Sequence, residues 1–395
     1  MLKTLSVERF KSLVKLDLEL GRINVFIGAN GSGKSNLLEA LGVLGAAAFG
    51  RVDDETLQRR GVRPGVPKLY KTAFPGVKGS PHILFGAEES NGASYHVTLW
   101  NPLYSPEPAW KFKTERLSDG ESDVYIRSTT SVDKRNQEQG IAALKTVELT
   151  LNNPSLALIN TLRSYSIYCP NTPCLRGSVP DSQSREPVGL AGGRLPEAVG
   201  ELLEAGKQQQ IPVEILEEVR DLIDWAKEFS AEPSTRVPLS PAAARSRYVI
   251  QFVDRFMAHD RNRLTGYDAS EGALYILYCA ALALHPKAPR CLAIDNVDQA
   301  LNPKLASKMM RSICAWTKKV NGDRQWLVTA HNPAILDGLP IDDPDVRLFA
   351  VDRNDKGHTV VRRIKIEEAA DKRPNKAWTL SRMWMNGLLG GVPNV

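Results

Sequence analysis

The stretch "INVFIGANGSGKSNLLEALG", Ile23 to Gly42, contains the pattern that decides the fold. Its first five residues are mostly β-branched or aromatic, which predicts a buried strand. Residues 28–35, "GANGSGKS", match the G-x-x-x-x-G-K-[ST] pattern in full, and strong helix formers follow. Strand, glycine-rich loop and helix in this order predict a loop that binds the phosphates of a nucleotide.

The chemistry of such a loop explains its residue types. Glycines let successive backbone N–H groups point into the loop, where they bind phosphate oxygens together with the positive end of the helix. A lysine then reaches the β and γ phosphates, and a hydroxyl ligates Mg²⁺. The residues expected to bind nucleotide are Asn30, Gly31, Ser32, Gly33, Lys34, Ser35 and Asn36, with Ser35 also a metal ligand.

Periodicity predicts the elements around this loop. Residues 2–27 alternate between apolar and polar side chains and predict three strands with turns near 11–12 and 21–22. Residues 82–99 predict a hairpin that turns at Asn91 and Gly92. After residue 245 strands and helices alternate up to a closing hairpin that turns at Lys356 and Gly357, which favours an α/β layered sheet.

The composition is that of an ordinary globular protein. Hydrophobic residues make up 42% and charged residues 24% of the 395, and the net charge is +6, so a polyanionic partner is allowed but not required. The five cysteines have no metal-ligand spacing, which favours a reducing compartment. The opening "MLKTLSVERF" lacks the apolar core of a signal peptide, and no apolar run is long enough to span a bilayer. We therefore expect a cytoplasmic protein without membrane contact.

The second half of the chain carries a further ordered set of motifs. Ser270 and Gly272 in "YDASEGALYIL" stand at the start of an apolar helix and predict a second anion site. The buried strand "CLAI" leads to Asp295, and another buried strand leads to His331. A helix cap alone would explain Ser270, but the order of the motifs favours a functional site.

These motifs together resemble the ABC-type ATPases of the RecF, structural-maintenance-of-chromosomes (SMC) and OLD-nuclease group. "VERFKSLVKLDLEL" and the phosphate loop look like their first strand, Phe-Lys-Ser turn and Walker A motif. "ASEGALYIL" is similar to their signature motif, "CLAIDN" to Walker B, "ALNPKLA" to the D-loop and "WLVTAHNPAILD" to the switch histidine. The resemblance implies an α/β ATPase head, with a mixed central sheet, an antiparallel β subdomain and a mainly helical insertion.

The resemblance also implies what each motif does. ATP and Mg²⁺ would bind at Lys34 and Ser35, Asp295 would support the metal, and His331 would sense the γ-phosphate. Ser270 and Gly272 of a second copy would close over that phosphate, so a homodimer or larger homo-oligomer with head-to-tail ATP sites is expected. The remaining implied contacts are Lys11 near the nucleotide, Asn302 against the opposite subunit, and Gln58 as a glutamine-loop candidate that is equally well read as a solvated loop residue.

Asn296 departs from the family pattern, because a glutamate that primes water usually follows the magnesium aspartate. An amide can orient water but accepts no proton, so we expect slow hydrolysis by a site whose catalytic residues are Asp295, Asn296 and His331. Asp298 could assist through water, although a solvated loop carboxylate is the preferred interpretation.

The expected domain organisation is a head formed by residues 1–100 and 245–365, with an insertion over 101–244. Within it, 101–140 is expected to be irregular, and the part from about 141 mainly helical, with amphipathic helices over 195–206 and 211–231. Residues 366–395 form a tail that docks on its own head or on another chain.

The preferred function is an ATP-bound sensor or scaffold in bacterial anti-phage defence that controls a separate effector, such as a nuclease or toxin. A RecF-like ATPase that binds DNA during repair, and an interaction module that holds ATP without hydrolysing it, remain alternatives.

Overall fold

The structure is a computed structural model that describes residues 1–128, 142–146, 152–240, 246–320, 323–365 and 378–391. The strands are β1 (Leu2–Phe10), β2 (Leu13–Glu19), β3 (Ile23–Ile27), β4 (His82–Glu89), β5 (Ser94–Trp100), β6 (Lys111–Ser118), β7 (Asp123–Arg127), β8 (Ile167–Tyr168), β9 (Ala226–Pro233), β10 (Tyr248–Asp254), β11 (Arg263–Thr265), β12 (Cys291–Ile294), β13 (Gln325–Ala330), β14 (Val346–Arg353) and β15 (Thr359–Ile364).

The helices complete the described elements. The α-helices are α1 (Lys34–Phe49), α2 (Asp54–Gln58), α3 (Pro67–Tyr70), α4 (Pro154–Ser164), α5 (Thr172–Leu175), α6 (Leu195–Lys207), α7 (Val213–Leu222), α8 (Glu271–Leu284), α9 (Pro303–Lys319) and α10 (Leu380–Met385). Short 3₁₀ helices cover Ala143–Thr146, Ser234–Arg236 and Pro333–Gly338. None of the described helices is both long and apolar enough to cross a lipid bilayer.

The strands form three sheets. The central one has the order β15-β14-β3-β13-β12-β8, in which only β15 runs antiparallel to its neighbour. A fully antiparallel sheet has the order β2-β1-β4-β5-β6-β7, and a small one has the order β11-β10-β9. This is the expected α/β architecture with a mixed central sheet and an antiparallel β subdomain.

Strands β3, β12 and β13 of the central sheet are buried along their whole length, which explains why they read as mostly apolar runs. In β3, Ile23, Val25 and Ile27 belong to the core shared with α6–α9. Phe26 belongs to the other core, shared with α1 and the antiparallel sheet, where it stacks on Phe349 at 5.1 Å between ring centroids. The sheet therefore presents its strand ends, rather than its faces, to solvent.

Residues 101–128 do not follow the expected irregular course. β6 and β7 extend the antiparallel sheet beyond β5, and the rest of the expected irregular segment, 129–140, lies outside the described residues. In β6 only Phe112, Glu115 and Leu117 are buried, so its apolar alternation is too weak to predict a strand. Pairing with β5 supplies the missing stabilisation.

The helix expected over 211–231 also ends early, at Leu222, and residues 226–233 form strand β9 instead. β9 pairs with β10 from Ala226 to Pro233, and Phe229 stands opposite Phe252 in that register. The tertiary pairing overrides a sequence whose apolar spacing continues the helical pattern. Strands β6, β7, β8 and β9 thus belong to the three sheets, and the expected division into a head and an insertion over 101–244 stays a prediction.

The described part of the C-terminal tail packs on its own head. Ser381 donates from its N–H and its hydroxyl to the Asp337 carboxylate, at 3.1 and 2.7 Å, which fixes α10 against the 3₁₀ helix after His331. The Gly391 N–H donates to Asp352. Residues 366–377 and 392–395 lie outside the described residues, so whether they contact another chain stays a prediction.

Candidate functional site

The site lies where three neighbouring parallel strands end. β13 pairs in parallel with both β3 and β12, so their carboxyl ends form one edge of the central sheet. The phosphate loop follows Ile27, Asp295 follows Ile294, and His331 follows Ala330. Residues that are about 260 and 300 positions apart in sequence are thereby brought to one cleft, as open α/β sheets generally do.

The phosphate loop needs glycine at two of its positions. Gly31 and Gly33 have φ of 76° and 110°, in the left-handed region that favours glycine. A Cβ on Gly33 would also lie 2.1 Å from Thr359 Oγ1, so β15 packs directly against the loop. α1 begins at Lys34 and points its amino terminus into the loop.

Lys34 is almost completely buried, at 5% exposure. Its ammonium donates to the carbonyls of Gly28 at 2.7 Å and Ala29 at 3.0 Å. Burial lowers the pKa of Lys34 to about 8, and the charges of Asp295 and Asp298 oppose this shift. The cation is thus held inside the loop by acceptors that a phosphate oxygen can replace.

Ser35 and Asp295 supply the oxygen ligands that Mg²⁺ prefers. The Ser35 hydroxyl donates to Asp295 Oδ2 at 2.8 Å, and the Thr329 hydroxyl donates to Oδ1 of the same carboxylate at 2.5 Å. Mg²⁺ in nucleotide sites takes one or two protein oxygens, and phosphates and water complete its shell. The donor set therefore fits a magnesium–nucleotide complex.

Asn296 adopts a left-handed backbone conformation, with φ of 61°. Its N–H donates to Thr329 Oγ1 at 2.8 Å, and its carbonyl accepts a hydrogen bond from the Tyr275 hydroxyl at 3.0 Å. Asparagine tolerates this region better than most residues. The turn after Asp295 is thus held from both sides, and its side chain is an amide that lines the cleft.

Asp298 is not the solvated loop carboxylate that we preferred from the sequence. It accepts hydrogen bonds from the His331 N–H, at 3.2 and 3.1 Å to its two oxygens, and from the Asn332 N–H. The carboxylate thereby ties the loop after β12 to the loop after β13. Burial and the charge of Lys34 lower the pKa of His331, against the opposing charges of Asp298 and Asp295, which favours a neutral imidazole.

The cleft is lined mainly by polar and cationic side chains. Its described lining residues are Asn30, Gly31, Gly33, Lys34, Ser35, Asn36, Arg63, Asn296, His331 and Arg353. Arg63 and Arg353 were missed by the sequence reasoning, because neither stands in a motif. Ser32, which was predicted to bind nucleotide, has a buried side chain and is not among the lining residues.

A buried carboxylate on α1 organises one wall of the cleft. Glu39 is 2% exposed and binds the ammonium of Lys11 and the guanidinium of Arg63. Arg63 also donates to Asn36 Oδ1 at 3.3 Å. The Lys11 ammonium lies over the Tyr70 ring, at 4.7 Å from its centroid. Lys11 thus faces Glu39 and is not a lining residue, so its contact with nucleotide stays a prediction.

Ser270 and Gly272 lie at the start of α8, outside the lining of the cleft. The Ser270 side chain is exposed and its Oγ accepts from the Ala273 N–H at 3.4 Å, as an amino-terminal helix cap does. Asn302 caps α9 in the same way, and Gln58 is exposed on α2. The structure brings Lys34, Ser35, Asp295, Asn296 and His331 together, but not these four residues.

Comparisons with solved structures agree with the fold. The fold is similar to the SMC head bound to the C-winged helix domain of ScpA, at 13% identity and a TM-score of 0.53, covering 94% of this chain and 99% of that one. It is also similar to the SMC head with an extended coiled coil bound to the C-terminal domain of ScpA from Pyrococcus furiosus, at 13% identity and a TM-score of 0.52, covering 94% and 98%.

A search of the curated proteins gave no match. One protein family matches residues 23–337, which are more than half of the chain and include every motif of the cleft. The chain therefore has the fold of an SMC head domain and belongs to the family described as "AAA domain, putative AbiEii toxin, Type IV TA system".

Proposed function

We propose that this protein is an ATP-dependent clamp: it binds Mg·ATP in the cleft, pairs head to tail with a second copy and hydrolyses ATP slowly. The observation that carries the proposal is the lining of the cleft. Asn296, whose side chain is an amide and not a carboxylate, lines the cleft directly after Asp295, at the position where the resemblance implies a general base. The site is thus built to hold a triphosphate better than to cleave it.

The charge of the cleft supports the binding step. Lys34, Arg63 and Arg353 line it together with the phosphate loop and the amino terminus of α1. Fixed N–H groups and cations of this kind bind a polyphosphate, and the binding weakens with salt because the charges are screened.

The chain's own residues divide the work of hydrolysis. Ser35 and Asp295 would hold Mg²⁺, which neutralises charge on the phosphate oxygens when it is bound. The Asn296 amide can orient a water molecule but cannot take its proton. His331, as a neutral imidazole, can donate one hydrogen bond to a γ-phosphate oxygen. Positioning without a base allows slow turnover, since the transition state of phosphoryl transfer is loose.

Pairing of two copies would complete the site. Ser270 is exposed and caps a helix whose amino terminus can bind an anion, but it does not line the cleft of its own chain. A second copy that places this helix over the γ-phosphate would make dimerisation depend on ATP. Asn302, also exposed at a helix start, would then lie near the contact.

The proposed biological role is a sensor or scaffold in bacterial anti-phage defence, in the cytoplasm, that controls a separate effector protein. The description of the family, which names a toxin and a Type IV TA system, favours this role over RecF-like DNA repair. Among the described residues no group of three or more His, Cys, Asp or Glu side chains is arranged to hold a metal. An effector nuclease would therefore be sought on another chain.

The test is a comparison of phosphate release and assembly. Purified protein with Mg·ATP is expected to form a dimer in size-exclusion chromatography with light scattering, and to release phosphate at well under one turnover per second. Lys34→Ala should remove both properties. Many turnovers per second that are lost in Lys34→Ala would contradict the clamp, and a monomer at saturating ATP would contradict the pairing.

A second experiment separates the biological roles. Recovery of a stoichiometric partner from cells that co-express the neighbouring genes supports the scaffold. DNA binding whose affinity falls steeply with salt supports the repair alternative. Bound ATP after purification, with neither partner nor DNA, supports the non-hydrolysing module.

A further inference from the structure

Helix α8 contacts the turn after Asp295, and the proposed mechanism does not use this contact. Its residue Tyr275 is 1% exposed, and its hydroxyl donates to the carbonyl of Asn296 at 3.0 Å. Burial raises the pKa of Tyr275 well above its usual value, so the hydroxyl keeps its proton and remains a donor. Asn296, which lines the cleft, is therefore tied to a helix that contributes none of the described lining residues.

The first turn of α8 packs against the same segment of chain. A Cβ on Gly272 would lie 3.3 Å from the carbonyl oxygen of Ala300, so the start of the helix fits closely against this residue. Asn296 and Ala300 both have a left-handed backbone, with φ of 61° and 62°. Residues other than glycine stay in this region only where their surroundings hold them. Contacts with α8 thus help to fix both strained residues.

The segment that α8 contacts is joined on its other side to the cleft. The Asn296 N–H donates to Thr329 Oγ1 at 2.8 Å, and the Thr329 hydroxyl donates to the carboxylate of Asp295. Asp298, two residues further on, accepts a hydrogen bond from the N–H of His331. A shift of α8 would therefore reach the residue that is expected to orient water before it reached any other group of the site.

The start of α8 is the part that a second copy is proposed to contact. Ser270, its amino-terminal cap, is exposed, whereas every residue from Ala273 to Leu284 is buried. Tyr275 follows Ser270 by five residues, which is about 8 Å along a helix. Because a helix keeps its length and a packed interior transmits strain, a load on the first turn also displaces Tyr275.

We propose that Tyr275 is a positioning residue that couples pairing to hydrolysis: contact of a second copy with the Ser270 end of α8 moves the Tyr275 hydroxyl, which sets the position of Asn296. This inference rests on the proposed function, since it needs both the pairing and the role of Asn296. Tyr275 is not among the described lining residues of the cleft. The loss of its hydroxyl should therefore change the rate of hydrolysis and not the affinity for ATP.

The test is the Tyr275→Phe variant of the full chain, which lacks only the hydroxyl. Steady-state phosphate release by the dimer at saturating Mg·ATP should fall about five- to tenfold, the effect of losing one buried hydrogen bond. The Kd for ATP in titration calorimetry should stay within twofold of the wild type, and light scattering should show the same ATP-dependent dimer. A lower affinity with an unchanged rate would contradict a positioning role.

Tyr278→Phe is the matched control. Tyr278 lies on the same helix, is also fully buried, and its hydroxyl donates to the Leu190 carbonyl at 2.9 Å instead of to the turn after Asp295. This variant loses the same group, so its melting temperature should fall about as much as that of Tyr275→Phe. Its rate of hydrolysis should stay within twofold of the wild type. Equal rates in the two variants overturn the inference.

The Ser270→Arg variant, which is expected not to pair, separates coupling from a local effect of Tyr275. Addition of Tyr275→Phe to Ser270→Arg should change the rate of hydrolysis less than twofold, because no partner contact then reaches Asn296 through α8. Such non-additivity is the sign of coupled residues. A five- to tenfold fall in this background as well would show that Tyr275 acts without a partner, and would overturn the coupling.

The wild type supplies a measurement that needs no variant and that separates the two proposals. Its rate of hydrolysis per subunit should rise as the protein concentration passes through the range in which the dimer forms. A constant rate across this range overturns the coupling, while an ATP-dependent dimer with slow hydrolysis leaves the proposed function intact. A wild type that stays monomeric at saturating ATP refutes the proposed pairing and the coupling together.

Discussion

We expect the Asn296→Glu variant to hydrolyse ATP faster than the wild type does. The substitution restores a carboxylate at the end of β12, beside the Ser35–Asp295 pair that is expected to hold the metal. Its backbone is fixed by Thr329 and by the Tyr275 hydroxyl, so the new side chain should start from the same position. A side chain that accepts the proton of the attacking water should then raise the rate of hydrolysis.

The expected gain follows from the value of a general base. Positioned proton acceptors contribute about 10²–10⁴-fold to a reaction rate, and we expect the low end, about 10²-fold, because positioning supplies much of phosphoryl transfer. The variant should also be less stable by about 1 kcal/mol, since glutamate tolerates a φ of 61° less well than asparagine. The melting temperature should fall by about 2 °C.

The assay is steady-state release of phosphate at saturating Mg·ATP. Asn296→Gln is the matched control, because glutamine has the length and the backbone strain of glutamate without its proton affinity. Asn296→Glu should exceed Asn296→Gln by about 10²-fold, and the two should melt at similar temperatures. Equal rates in the two variants, or a wild type that already turns over many times per second, would refute the assignment of the missing base.

Three more predictions concern the pH dependence of ATP binding, the contact between Asp298 and His331, and the pairing of two copies. The Kd for ATP should be flat below pH 8 and rise by up to tenfold per unit above it, because the pKa of free Lys34 is about 8 and bound phosphate raises it. Titration calorimetry at several pH values measures this Kd, and a Kd that stays constant up to pH 10 would contradict the prediction. Asp298→Asn should lower the pKa of His331 further, and NMR can follow this pKa. The variant should also hydrolyse ATP about tenfold more slowly, because it loses the negative charge that accepts from the N–H groups of His331 and Asn332. An unchanged rate of hydrolysis would show that the hydrogen bonds of Asp298 to the loop after β13 have only a structural role. Ser270→Arg should leave ATP affinity within twofold and abolish the ATP-dependent dimer in light scattering, and a dimer of normal stability would exclude α8 from the interface.

The elements that carry the motifs could be predicted from the sequence because their signals are local. β3, the phosphate loop and α1 are encoded by adjacent residues, whose propensities, glycines and apolar spacing are sufficient to predict them. The buried strands before Asp295 and His331 could be predicted in the same way, since strands that are covered on both faces are mostly apolar. The order of these elements then predicts a parallel sheet, whose strand ends form the cleft.

The rest depended on residues that are far apart in the chain. β9 has a helical apolar pattern, and only its pairing with β10 decides otherwise. The bond from Arg353 to Gly31 joins residues 322 positions apart, and Asp298 meets Asn332 across 34. Glu39 is an ordinary helix residue in sequence, and only packing buries it between Lys11 and Arg63.

Local preferences determined which elements form and where the phosphate loop stands. The tertiary structure alone decided which charged side chains surround that loop and which carboxylates accept hydrogen bonds or ion pairs from other parts of the chain. The physical reason is that propensity and periodicity act over a few residues, whereas the burial and pairing of a charge depend on whatever the whole fold brings within a few ångströms of it.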